Sequence, residues 1–143
     1  MNKILIVYTS WYEDYIKSMT NTASVILSPD NAIELSCAPG AIELASLAKY
    51  KIIQSKEEFA GVLFLGIVIR GETTHYELVT NEAFRSIGIL SMEYPNIAFI
   101  NNIICVENKD QLLKRIETNT KNNSIALRAL IDDVLGVVTS ASG

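Results

Sequence analysis

Residues 60–69 are the part of the chain that most constrains its fold. They form an unbroken apolar run rich in Val, Leu and Ile, followed directly by Arg70 and Gly71. The run is about half as long as a membrane-spanning helix requires, and its β-branched composition is typical of a strand covered on both faces. Such strands belong to parallel sheets flanked by helices. The run therefore predicts a buried strand in an α/β protein.

The rest of the chain up to residue 106 alternates strands with helices. Apolar runs predict further strands at residues 4–8, 32–37 and 97–106, and residues 41–54 predict a helix rich in Ala and Leu. Two more helices are predicted by apolar residues at helical spacing: Tyr12, Ile16, Met19, Ala23 and Ile26 in one, and Tyr76, Val79, Ala83, Ile87 and Leu90 in the other. The second of these begins at Thr74 and ends at Tyr94-Pro95.

Two helices are expected after the fourth strand. Asn108 with Gln111 caps the first, and the polar stretch 118–123 is expected to interrupt it. Ser124 then caps a final helix whose apolar face is Leu127, Ile131, Val134 and Val138.

Strands and helices in this order imply right-handed crossovers and a parallel sheet. We therefore expect one domain over residues 1–143, a three-layer α/β/α sandwich of the flavodoxin-like type with a central four-stranded parallel sheet. Ligands of such sheets bind beyond the carboxyl ends of the strands.

Composition excludes several classes of partner. The net charge is −4 and the basic residues are scattered, so we expect no nucleic-acid binding. No membrane segment is expected, and the strand that follows Met1 at once suggests a cytoplasmic protein. Cys37 and Cys105 lack metal-ligand spacing and are expected to be small buried hydrophobes.

The junction after residue 69 carries the clearest chemical signal. Thr74-His75-Tyr76-Glu77 has the pattern of a capping box, and it places the only histidine in the first turn of a helix. Free backbone N–H groups at a helix start attract phosphate, and an imidazole can donate or accept a proton near neutral pH. The junction therefore predicts an anion site beside a proton-transfer group.

Four segments, in order, resemble the motifs of the lumazine synthase family. They are Ser10-Trp11-Tyr12, Cys37-Ala38-Pro39-Gly40-Ala41-Ile42-Glu43-Leu44, Gly66-Ile67-Val68-Ile69-Arg70-Gly71-Glu72-Thr73-Thr74-His75 and Val106-Glu107-Asn108-Lys109-Asp110-Gln111. The resemblance implies condensation of 5-amino-6-(D-ribitylamino)uracil with 3,4-dihydroxy-2-butanone 4-phosphate to 6,7-dimethyl-8-ribityllumazine. It implies neither metal nor cofactor. It also implies a homo-oligomer, a pentamer or an assembly of pentamers, with pockets shared between neighbours and riboflavin synthase as a further partner.

The resemblance assigns a role to each candidate residue. His75 is the proton donor and acceptor, while Glu72 and Thr73, through their backbone, and Arg115 bind phosphate; the Glu72 side chain is expected to turn towards Arg70. The residues that bind the pyrimidine and the ribityl group are Trp11, Ala41, Ile42, Glu43, Ile67, Val68, Ile69 and Asn101. Without the resemblance, Arg115 reads as a solvated helix residue, Trp11 as a rim aromatic, Glu43 as a partner of the helix dipole, and residues 67–69 as core.

The chain also departs from the family pattern. Asn101-Asn102 replaces a Phe-Gly pair and Tyr12 replaces an Asn. Residues 121–124 stand where the family has Asn-Lys-Gly, which leaves a second basic residue missing unless Lys121 substitutes for it. These departures motivate an alternative, a catalytically weak scaffold that binds a flavin or a ribityl ligand. A flavodoxin-like electron carrier is disfavoured, because the loop after the first strand lacks the Gly and hydroxyl residues that wrap a flavin phosphate.

Overall fold

A computed structural model describes the backbone of residues 1–142 and the side chains of residues 1–136. Its elements follow one another as β1 (Asn2–Thr9), α1 (Glu13–Leu27), β2 (Asn31–Ala38), a 3-10 turn (Ala41–Glu43), α2 (Leu44–Gln54), β3 (Gly61–Ile69), α3 (His75–Glu93), β4 (Ala98–Val106) and α4 (Lys109–Ser142).

The four strands form one parallel sheet in the order β2-β1-β3-β4. Alternate residues of each strand pack on opposite faces, because side chains alternate along a strand. Ile4, Ile6 and Leu63 face α1 and α4, whereas Leu5 and Phe64 face α2 and α3. The predicted three-layer sandwich with a four-stranded parallel sheet is confirmed.

Most of the predicted helix faces are buried, with small shifts at the ends. In α1, Leu27 is buried and Ile26 only half-buried, while Tyr12 precedes the helix and is exposed. The predicted helix over residues 41–54 opens with the 3-10 turn, so its α-helical part begins at Leu44. Tyr76 is half-buried, whereas the other four residues predicted for the face of α3 are buried.

The predicted interruption at residues 118–123 is wrong, because α4 runs through it without a break. Its polar side chains satisfy one another. The Asn102 Nδ2 donates to Thr120 Oγ1 (3.0 Å), the Asn123 Nδ2 donates to Asn102 Oδ1 (2.7 Å), and the Ser124 hydroxyl donates to the Thr120 carbonyl (2.7 Å). Ser124 is therefore a buried mid-helix residue and not a cap.

The start of α4 is capped by a side chain, and its predicted apolar face is buried as far as Ile131. At its start, the Gln111 N–H donates to Asn108 Oδ1 (2.9 Å), which confirms the predicted cap. Further along, Leu127 and Ile131 are buried and Val134 is half-buried; Val138 lies outside the residues whose side chains are described. None of the helices described here is long and apolar enough to cross a membrane.

The prediction that both cysteines are buried is wrong for Cys37. It lies on β2, an edge strand, where it is exposed. Cys105 on β4 is half-buried, and burial raises the pKa of its thiol to about 11.

Candidate active site

A cleft of about 410 Å³ opens at the carboxyl ends of β1, β2 and β3, between the 3-10 turn and the first turn of α3. Parallel strands bring their carboxyl ends to one edge of the sheet, so the segments that follow them meet there. Eight of the twelve predicted site residues line the cleft: Trp11, Ala41, Ile42, Glu43, Ile67, Val68, Ile69 and His75.

The end of β3 forms the floor of the cleft. Ile67 is buried and contributes to the core, while Val68 and Ile69 are half-buried. Trp11 lies in the loop after β1 with 67% of its surface exposed. An indole that lines a cleft and remains this exposed can accept a planar ring against its face.

The 3-10 turn brings a carboxylate to the cleft. The Glu43 N–H donates to the Gly40 carbonyl (3.2 Å), which closes the turn. A Cβ added to Gly40 would lie 3.3 Å from Glu43 Oε1, so the carboxylate rests close to the Gly40 backbone. Glu43 therefore lines the cleft with a group that can accept hydrogen bonds from hydroxyl or amine donors.

His75 lies in the first turn of α3, as predicted, and is its first residue, but the predicted capping box is wrong. Among the described residues, the Thr74 side chain makes no capping hydrogen bond; instead the His75 N–H donates to Thr73 Oγ1 (3.3 Å). Glu77 is bound to the Arg70 guanidinium and does not reach back to the Thr74 N–H. The hydroxyl of Thr73 thus takes over part of the expected role of Thr74.

The sequence suggested that Arg70 pairs with Glu72, but it does not. Its guanidinium binds Glu77 of α3 and Glu107, which follows β4. Glu72 is exposed in the loop between β3 and α3. The expected turn of the Glu72 side chain towards Arg70 is therefore wrong.

Four predicted residues are not among those that line the cleft: Glu72, Thr73, Asn101 and Arg115. Asn101 lies in the middle of β4 opposite Phe64, and it accepts a hydrogen bond from the Ile103 N–H (2.9 Å). Arg115 is exposed on α4 and donates to the Gln111 carbonyl (3.2 Å). Spacing along the chain therefore did not bring Asn101 to the edge of the sheet where the other motifs meet.

Sequence reasoning missed five residues that line the cleft: Thr9, Tyr12, Pro39, Gly40 and Val79. Thr9 ends β1, and its position at a strand end was the signal available for it. Its hydroxyl is buried and has no hydrogen-bond partner among the described residues. Thr9 also lines a second cleft, of about 440 Å³, which is lined by none of the twelve predicted site residues.

Comparison with known proteins decides the family. A family model described as 6,7-dimethyl-8-ribityllumazine synthase matches residues 1–132. The chain belongs to the 6,7-dimethyl-8-ribityllumazine synthase family. As a member of that family it is a transferase of riboflavin biosynthesis.

Individual relatives of the same name extend over most of the chain. The synthase of Novosphingobium aromaticivorans is 32% identical over 124 residues, which cover 85% of this chain and 86% of the relative. The synthase of Erythrobacter litoralis is 32% identical over 123 residues (85% of each chain), and that of Beijerinckia indica is 31% identical over 131 residues (90% and 72%). The resemblance inferred from four motifs is confirmed, and none of these matches favours the catalytically weak scaffold.

The chain still departs from the lumazine synthase pattern on α4. Asn123 stands at the register of the missing basic residue, and its amide is bound to Asn102. An α-helix turns by about 100° per residue, so Lys121 projects about 200° away from Asn123. The backbone of α4 therefore presents Lys121 and Asn123 on nearly opposite sides of the helix.

Proposed function

We propose that the cleft at the carboxyl edge of the sheet is where this chain condenses 5-amino-6-(D-ribitylamino)uracil with 3,4-dihydroxy-2-butanone 4-phosphate. The product is 6,7-dimethyl-8-ribityllumazine, and phosphate and water are released. One observation carries the proposal: of the nine residues that the family motifs assign to the pyrimidine, the ribityl group and proton transfer, all but Asn101 line a single cleft.

The protein's main task in this reaction is to hold two substrates together. The amine of the pyrimidine substrate attacks the ketone to form an imine, phosphate leaves, and the ring closes. These steps need alignment and proton movement rather than a strong protein nucleophile. Trp11 stacks on the pyrimidine, Glu43 accepts hydrogen bonds from the ribityl hydroxyls, and the backbone of residues 67–69 meets the polar edge of the pyrimidine.

His75 is the proton-transfer group in this proposal. It lines the cleft and is exposed, so a bound substrate can reach its imidazole. The imidazole accepts a proton from the attacking amine and donates one to the departing oxygen.

The loop before His75 holds the phosphate. The backbone N–H groups of Glu72 and Thr73 lie next to the start of α3, where the helix dipole favours an anion. Because residues 71–75 are exposed, the phosphate can enter from solvent.

A second subunit completes the site. Asn101 and Arg115 are both outside the cleft of their own chain, and Arg115 is exposed on α4, where its guanidinium donates to the Gln111 carbonyl. We therefore infer a ring-shaped homo-oligomer, a pentamer or an assembly of pentamers, in which these residues serve the neighbour's cleft. Residues 1–143 act as one domain, the reaction takes place in the cytoplasm, and riboflavin synthase accepts the product.

The decisive experiment is an incubation of the purified protein with both substrates. Lumazine absorbance should rise with time, and inorganic phosphate should be released in equal amount. Absence of product, when either substrate still binds in a titration, would favour the scaffold with little turnover.

A further inference from the structure

The loop that joins β3 to α3 makes few contacts of its own. Residues 71–75 are exposed, and a Cβ added to Gly71 would meet no atom within 4 Å. Among the described residues, the hydrogen bond from the His75 N–H to Thr73 Oγ1 is internal to the loop. A loop that binds an anion through backbone N–H groups must nevertheless keep those groups aligned. Its alignment must therefore come from residues at its borders.

Arg70, at the start of the loop, reaches three such residues. Its Nε donates to Glu107 Oε2 (2.5 Å), and its Nη1 donates to Glu77 Oε1. The guanidinium carbon also lies 4.2 Å from the ring centroid of Tyr76. Tyr76 and Glu77 belong to the first turn of α3, and Glu107 directly follows β4. One planar side chain thus connects the end of β3 to the start of α3 and to the end of β4.

The charge of Arg70 is already balanced within the protein. The hydrogen bonds that the guanidinium donates to Glu77 and Glu107 raise its pKa, and the guanidinium lowers the pKa of Glu77. A cation held between two carboxylates attracts a further anion weakly. Arg70 is therefore poorly suited to bind phosphate directly.

We propose that Arg70 is a positioning residue, which sets the conformation of residues 71–75 by joining Glu77, Tyr76 and Glu107, so that the loop can bind phosphate and present His75. This inference rests on the proposed function for the identity of the anion. The fork of the guanidinium matters, because two carboxylates on different elements are bound by different nitrogens of one rigid group.

The first test measures the loop without any substrate. Arg70→Met should speed exchange of the two amide hydrogens that are bonded to loop residues, those of His75 (to Thr73 Oγ1) and Leu78 (to the Thr74 carbonyl), measured by hydrogen–deuterium exchange. Arg85→Met is the matched control, since Arg85 pairs with Glu82 on the same helix and the substitution removes the same charge. Arg70→Lys should remain close to Arg70→Met, because one ammonium lacks the fork. Unchanged exchange in both Arg70 variants would overturn the proposal.

The second test uses inorganic phosphate and separates positioning from charge. Arg70→Met should lower the affinity for inorganic phosphate about tenfold. It should also raise the KM of the phosphate substrate more than that of the pyrimidine substrate. Glu107→Gln removes a negative charge, so a purely electrostatic role of Arg70 predicts tighter phosphate binding. Positioning predicts weaker binding instead, because the fork loses one partner. Tighter binding in Glu107→Gln would overturn the proposal, and this variant serves equally if Arg70→Met fails to fold.

The outcomes for the two proposals remain separate. Faster exchange of the loop in a protein that forms no lumazine would support the positioning role and contradict the proposed reaction. Normal lumazine formation with unchanged loop exchange in the Arg70 variants would do the reverse.

Discussion

Tyr12 holds a backbone conformation that tyrosine rarely adopts. Its φ of 58° and ψ of 52° lie in the left-handed region, and it is the only non-glycine residue with positive φ in the described chain. The conformation turns the chain from the Trp11 loop into α1, whose first hydrogen bond runs from the Ile16 N–H to the Tyr12 carbonyl (3.0 Å). Asn tolerates this region better than Tyr, so the Asn of the family pattern is the less strained residue here.

Tyr12→Asn should therefore raise the free energy of unfolding by about 0.5–1 kcal/mol, because part of the left-handed strain is removed. The measurement is the urea midpoint at constant m-value. Tyr12→Phe retains the strain and should leave the midpoint unchanged. A gain of the same size in the Phe variant would show that strain is not the cause.

The prediction for His75 concerns the turnover rate of the proposed reaction. His75→Ala should lower turnover by about 10- to 10³-fold, somewhat less than the usual size of general acid–base help, roughly 10²- to 10⁴-fold, because the substrates supply the reactive groups and their alignment survives. Calorimetric affinity for the pyrimidine substrate should change little. A variant with wild-type turnover would remove His75 from proton transfer.

At the scale of single elements, α4 contains polar residues in mid-helix that are satisfied by a buried residue of the sheet. Asn102 on β4 is 2% exposed, and it both donates to Thr120 and accepts from Asn123. The three side chains join β4 to α4 in the middle of the layer that also contains α1. A buried polar group is costly without a partner, and here each has one.

Asn102→Ala should destabilise the protein by about 1–3 kcal/mol, since it leaves the buried Thr120 hydroxyl and the Asn123 amide without their partner. Asn122→Ala is the control: it removes the same side chain from an exposed position of α4 and should cost less than about 0.5 kcal/mol. Chemical denaturation of the two variants provides the comparison. Equal effects would mean that the cluster contributes nothing specific.

The elements show what local sequence patterns can and cannot predict. Strand 60–69 was predicted correctly, because an unbroken apolar run reports burial on both faces wherever it occurs. Residues 118–123 were mistaken for a break, because a polar stretch looks solvated until the partner strand supplies Asn102. The capping box failed for the same reason, since Glu77 is bound by Arg70 from another element.

The candidate site could also be predicted only where local sequence patterns determine the position of a residue. Trp11, Glu43 and His75 were brought together by strand ends alone, because every parallel strand ends at the same edge. Asn101 lies in mid-strand, as the predicted strand 97–106 already implied, and its pairing with Phe64 places it away from that edge.

At the scale of the whole molecule, the shared site predicts complementation. Arg115→Ala should weaken binding of the phosphate substrate by about 10- to 100-fold, the size of a lost charge-assisted hydrogen bond. A mixture of His75→Ala chains with Arg115→Ala chains should nevertheless regain activity. In mixed oligomers some interfaces pair an intact His75 with an intact Arg115.

Activity of the mixture, compared with each variant alone after unfolding and reassembly, is the measurement. Verified mixed oligomers without any rescue, or a fully active monomer in mass photometry, would contradict the shared site. His75→Ala alone, unfolded and reassembled in the same way, is the control for any activity that the treatment itself restores.

The two thiols have different environments, so that the native chain can be labelled at one of them and the proposed oligomer can be followed in solution. Burial holds the pKa of Cys105 at about 11, so its thiol stays protonated at neutral pH, whereas Cys37 is exposed on the sheet edge. A limiting amount of iodoacetamide should alkylate Cys37 well before Cys105, as peptide mass spectrometry can show; equal modification of both would refute this. A fluorophore attached there would then report subunit exchange by energy transfer, with no engineered cysteine in the chain.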